Sequence, residues 1–140
     1  MTAESIKLVI PGKPPAKNDK HKVFVRTGQK GGKSIGRMKS EAYVAFLDRA
    51  LEAWLATRQE RIESGLWMAR IRAYWGSQRH LDHDVGLGDV DAPLECVLDA
   101  LQVVGAIDND ARVVALIATK HYDKERPRVE VELRPWEVEE

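Results

Sequence analysis

The patterning of this chain predicts a small α/β (α+β) domain in which a mixed β-sheet packs against two helices. Three observations carry that reading. Residues 67–75 alternate, with Trp67, Ala69, Ile71, Ala73 and Trp75 on one side, as a half-buried strand does. Residues 40–62 and 92–104 instead space their apolar residues by three and four, as amphipathic helices do. Short apolar or alternating runs flank both, giving the order β-α-β-α-β-β within 140 residues, a length that suits one domain over 1–140.

The first strand is read from Ile6, Leu8 and Ile10, and Pro11, Gly12, Pro14 and Pro15 end it. A basic, flexible segment, residues 11–39, follows, with Val23-Phe24-Val25 as a short edge strand and a Gly-rich loop at 28–33. Ser40 can cap the next helix, whose stripe is Tyr43, Phe46, Leu47, Ala50, Leu51, Trp54 and Leu55; it is expected to reach about Ile62 and stop before Gly65. After the strand at 67–75 comes a polar loop, 76–88. Pro93 fits the first turn of the second helix, because a first-turn N–H lacks a partner anyway, and Gly105 suits the residue just past its end. Val113 to Thr119 is nearly all apolar, as expected of a central strand, and Val129, Val131 and Leu133 alternate with glutamates in a last, half-exposed one.

An apolar content of 44% with 31% charged residues excludes a disordered chain. Cys96 is the single cysteine, so no internal disulfide can form, which fits a reducing cytoplasm. Ile6 to Ile10 is too short for a signal sequence, and no apolar run approaches a membrane span, so no membrane partner is expected.

The zero formal charge hides a polar split. Residues 1–39 hold ten Lys and Arg against Glu4 and Asp19. Residues 81–111 hold eight carboxylates and no Lys or Arg. Carboxylates gathered without counter-ions repel one another unless a cation joins them, and Mg²⁺ or Mn²⁺ takes oxygen ligands. A basic arm beside such a pocket suits an enzyme that holds a polyphosphate and cuts it.

Asp89 and Asp91 share a face if the chain is extended there, and Asp91, Glu95 and Asp99 form one stripe at helical spacing. Asp110 follows the helix at the start of a strand, so three or four oxygens can converge on one ion. Each acid alone has a plain structural account: helix capping for Asp91 and Glu95, a turn for Asp108-Asn109-Asp110, solvent for Asp99. The set, with no basic neighbour for some thirty residues, favours a site. Glycine and glutamate are missing from the positions that a calcium loop needs. His80, Asp82, His83 and Asp84 scatter through a glycine-containing loop with no zinc spacing. The basic segment reads as a phosphate-tracking footprint or as solvated surface, and its cations cannot be ranked.

The stretch Gly88-Asp89-Val90-Asp91-Ala92-Pro93-Leu94-Glu95-Cys96-Val97-Leu98-Asp99-Ala100-Leu101 resembles the signature of RusA-type Holliday junction resolvases, and Asn109-Asp110-Ala111-Arg112-Val113-Val114 is similar to that family's second motif at the same separation. The resemblance implies a homodimeric endonuclease that uses Mg²⁺ or Mn²⁺ to nick four-way DNA junctions symmetrically. It implies Asp89, Asp91 and Asp110 as catalytic, metal-coordinating carboxylates. Glu95 is a further candidate ligand, and charge alone offers Lys13, Lys17, Arg26, Arg79 and Lys120 as candidate DNA contacts. Asp99 matches an aspartate of the family's helix and is assigned to structure. Two positions depart from the pattern: Ala92 replaces an asparagine, and Glu95 stands where the family carries its active-site lysine. Lys120, Arg79 and Arg112 are candidates for a displaced cation. The alternative is a catalytically impaired junction- or DNA-binding protein on the same fold.

Overall fold

The structure is a computed structural model that describes residues 5–15, 21–27, 33–76, 90 and 93–136. Its elements are β1 (Ile6–Pro11), β2 (His21–Thr27), β3 (Lys33–Lys39), α1 (Glu41–Thr57), β4 (Trp67–Trp75), α2 (Leu94–Val103), a 3-10 turn (Asp110–Arg112), β5 (Val113–Tyr122) and β6 (Arg128–Pro135). Beyond the β2–β3 hairpin, this is the expected β-α-β-α-β-β order. Four strands form one mixed sheet, ordered β1-β6-β4-β5, in which only the β4–β5 pair is parallel. No helix among the described residues is long and apolar enough to cross a membrane.

Both helices cover the same face of the sheet. Helix α1 buries Tyr43, Phe46, Ala50 and Trp54, and α2 buries Cys96, Val97, Ala100 and Leu101. These meet Leu8 and Ile10 of β1, Ala69 and Ile71 of β4, and Val129, Val131 and Leu133 of β6 in one core. The alternation in β4 puts its odd-numbered residues into that core and its even-numbered ones on the opposite, open face.

Local chemistry explains the helix ends. The Ser40 hydroxyl accepts a hydrogen bond from the Tyr43 N–H at 3.1 Å, satisfying a first-turn donor. Past α2, Gly105 takes φ +84°, a left-handed conformation open to glycine, and the Ala106 N–H returns to the Leu101 carbonyl at 2.9 Å.

Three expectations need correction. Helix α1 ends at Thr57, not near Ile62, because Arg58 turns left-handed at φ 54°. Gln59 then hydrogen-bonds the backbone of Lys7 through both its amide nitrogen and its carbonyl oxygen. Ile62, read as the last helical residue, is instead buried through a parallel bridge to Ile107. Second, the short strand at 23–25 belongs to a full hairpin, with His21 opposite Lys39 and Thr27 opposite Lys33. Third, β5 is a sheet edge: among the described residues it pairs only with β4, and Val114, Leu116 and Ile117 stay exposed. An uncharged apolar run is compatible with pairing on one side or two, so sequence pattern could not separate these.

Candidate active site

The turn that leads into β5 treats its two aspartates differently. Asp108 receives a two-pronged hydrogen bond from Arg112, with Nε on Oδ1 and Nη2 on Oδ2, the latter at 2.9 Å. That guanidinium also donates to the carbonyls of Glu63, at 2.6 Å, and Gly65, at 3.2 Å. Arg112 therefore clasps the 63–65 loop to the 108–112 turn, and its hydrogen bond holds the Asp108 carboxyl below the usual carboxylate range. This occupation argues against Arg112 as the displaced cation.

Asp110 is anchored by its backbone and open at its side chain. Its N–H donates to Gln102 Oε1 at 3.0 Å, which fixes it against the C-terminal turn of α2. Asn109 supports the same turn by accepting from the Ala111 N–H at 2.9 Å. The Asp110 carboxylate is exposed and has no partner among the described residues.

On α2, Glu95 and Asp99 lie one turn apart, with Glu95 exposed and Asp99 half-buried. Asp99 accepts a short hydrogen bond from the hydroxyl of Tyr43, a buried residue of α1. Sequence reasoning took Tyr43 for an apolar core residue; its hydroxyl was the available signal, since a buried tyrosine usually finds a partner.

Lys120 sits opposite Ala73 in the β4–β5 register and therefore on the helix-bearing face of the sheet. Its ammonium has no partner among the described residues. It lies seven residues along β5 from Val113, about 23 Å of strand, so it occupies the far end from Asp110. Helix α2 spans about 15 Å, carrying the chain from the side where β4 ends back to the side where β5 begins. Lys120 is thus at the end where α2 starts, whereas Asp110 is at the end where it stops.

Asp89, Asp91, Lys17, Arg79 and the group His80, Asp82, His83 and Asp84 lie outside the described residues. Arg26 falls within β2, and Lys13 is exposed just after β1. Among the described residues, no three His, Cys, Asp or Glu side chains gather closely enough to hold a metal ion.

The open β5 edge thus begins beside an exposed carboxylate and ends near a lysine, on a small α+β domain. A family model, Endodeoxyribonuclease RusA, matches residues 11–134, and the chain belongs to that family. Membership makes it an endodeoxyribonuclease of the Holliday junction resolvase kind. No curated protein sequence matches the chain significantly.

RusA resolvases are generally dependent on a divalent metal. Among the described residues, Asp110 offers hard carboxylate oxygens of the kind such an ion takes, and no protein cation neutralises them.

Proposed function

We propose that the protein is a divalent-metal-dependent endonuclease that binds branched DNA, such as a four-way junction, and nicks it symmetrically as a homodimer. The observation that carries this reading is the contrast within one turn: Asp108 is committed to Arg112 while Asp110 is held in place with its carboxylate open. Asp89, Asp91 and Asp110 are the residues that would hold Mg²⁺ or Mn²⁺, with Glu95 as a further ligand. A bound ion of this kind supplies an activated water and neutralises charge on the phosphodiester. The chain's own part is to fix those oxygens, and to offer Lys120 to the phosphate in place of the lysine that Glu95 displaces. Lys13, Lys17, Arg26 and Arg79 track the backbone of the arms.

The β5 edge supports a two-fold assembly. Ten residues of strand with exposed Val114, Leu116 and Ile117 leave an unpaired ladder, and the run from Val113 to Thr119 carries no charge to blunt it. Antiparallel pairing of two such edges brings the Asp110 end of one protomer beside the Lys120 end of the other. Such a dimer places one cutting centre on each of two opposed strands. The setting is the cytoplasm, in DNA recombination and repair, where Cys96 remains a buried thiol.

The test is a synthetic four-way junction incubated with the full chain and Mg²⁺ or Mn²⁺. Paired nicks in opposed strands are expected. Folded protein that nicks with neither metal would overturn the proposal; junction binding without cleavage would then favour the impaired-binder alternative, which rests on Glu95.

A further inference from the structure

The face of the sheet turned away from both helices leaves Lys7, Val9, Ile117, Thr119 and Arg134 exposed, and its composition is unlike that of an ordinary solvated face. The strand registers lay it out in rows. Lys7, Glu132 and Arg70 form one row across β1, β6 and β4, and Glu130 and Arg72 lie in the next. Arg128, Tyr74 and His121 form a third across β6, β4 and β5, and Arg134 faces Met68 at the other end.

Each carboxylate of this face is enclosed by cations. Glu130 accepts from Arg128 Nε at 2.9 Å and lies 3.8 Å from an Arg72 nitrogen. Glu132 is hydrogen-bonded to Arg134, which holds its carboxyl below the usual range, and the charges of Lys7 and Arg70 add to that effect. Arg128 also donates to Asp123 at 2.8 Å, so five cations meet three carboxylates and positive charge is still left over on this face. The third row adds a stack of planar groups. The Tyr74 and His121 rings stack at 4.7 Å, and the Arg128 guanidinium lies 3.8 Å from the centre of the Tyr74 ring.

We propose that this open sheet face is a second DNA-binding surface, in which Arg70 and Arg72 contact the phosphate backbone of a duplex arm beside the Tyr74–His121 stack. The inference rests on the reading of the protein as a DNA endonuclease, and it adds a surface distinct from both the acidic site and the basic segment 11–39. The charge pattern selects the occupant: an arginine-rich face with its acids already neutralised complements a polyanion and offers no base-edge code. Arg70 and Arg72 project from alternate positions of one strand and so point the same way, about 6.7 Å apart, like successive posts along a backbone.

The test measures binding of a synthetic four-way junction, without divalent metal, to the parent chain, to the R70Q/R72Q pair and to the R70K/R72K pair, across a range of salt. The glutamine pair is expected to bind about tenfold or more weakly, with a salt slope shallower by about two, because two phosphate contacts are lost. The lysine pair is expected to keep the parent's slope. Unchanged affinity and slope in a glutamine pair that melts like the parent would overturn the proposal and leave the nuclease reading intact. A parent that binds no DNA at all would overturn both. Should the glutamine pair fail to fold, Val9→Cys carrying a fluorophore serves instead, since Val9 is exposed on this face opposite Glu130 and Cys96 is buried. A signal change on adding the junction supports the surface, and a flat signal overturns it.

Discussion

The Tyr43 hydroxyl donates to the Asp99 carboxylate, joining the first turn of α1 to the polar stripe of α2. Tyr43 is fully buried and Asp99 half-buried, so the bond crosses the helix–helix contact at the rim of the core. It gives Asp99 a structural partner while Glu95, one turn away, stays on the exposed side.

Removing that hydroxyl therefore tests stability first. Tyr43→Phe keeps the ring in the core and leaves Asp99 short of a donor, an expected cost of about 1–2 kcal/mol. The melting temperature should fall by roughly 3–6 °C, read by circular dichroism. Junction affinity should be unchanged.

The Arg112 clasp makes a prediction about acid. Hydrogen bonding to Arg112 lowers the Asp108 pKa, and hydrogen bonding to Arg128 and to Arg134 lowers those of Asp123 and Glu132. A carboxyl whose folded pKa lies below its unfolded value stabilises the fold above the unfolded value, and that contribution disappears as pH falls through the folded one. Stability should be flat from neutral pH down to about pH 5 as far as these groups are concerned, and then fall below about pH 4. Arg112→Gln should weaken the acid dependence, measured as the urea midpoint against pH, while lowering stability at pH 7.

Asp110→Asn keeps the bond that its backbone N–H donates to Gln102 Oε1 and removes the charge that an ion requires. Nicking of a four-way junction is expected to drop by at least about 10²-fold, with junction affinity in the absence of metal changed by no more than a few-fold. Lys120→Ala should likewise lower the nicking rate, by about 10²-fold, if its ammonium meets the phosphate as charge develops. Equal rates in Lys120→Ala and parent would remove Lys120 from the mechanism.

Glu95→Lys separates the two readings of the departure from the family pattern. If glutamate has been recruited as a ligand, the substitution should reduce nicking and raise the Mg²⁺ concentration needed for half-maximal rate. A large gain instead would mark the parent as the impaired binder.

The exposed β5 edge predicts the assembly. Val114→Lys combined with Leu116→Lys adds charge to an edge that has none before Lys120, and should convert a dimer to a monomer in sedimentation. Nicking of both opposed strands should fall with the dimer, because a paired cut needs two copies of the chain.

Much of the fold was legible because local and global preferences agree. The strand at 67–75 was read with its observed ends, since alternation there coincides with burial against one layer of helices. Gly105 ended α2 as expected because few other residues tolerate its backbone angle. The end of α1 was not legible: apolar spacing ran on to Ile62, but a bridge to Ile107, 45 residues away, claims that side chain. Asp108 and Asp110 looked alike in sequence, and only the approach of Arg112 together with the 63–65 loop distinguishes them.

By itself the sequence determined the order of elements outside the β2–β3 hairpin, the family signature and the separation of basic from acidic stretches, all of which depend on residue type and short spacing. Tertiary structure alone decided that β5 is an edge, that Arg112 is engaged, that Lys120 and Asp110 lie at opposite ends of one strand, and that five cations share the open face. Those facts depend on which distant segments become neighbours, and strand pairing sets that through hydrogen bonds that every residue's backbone offers alike.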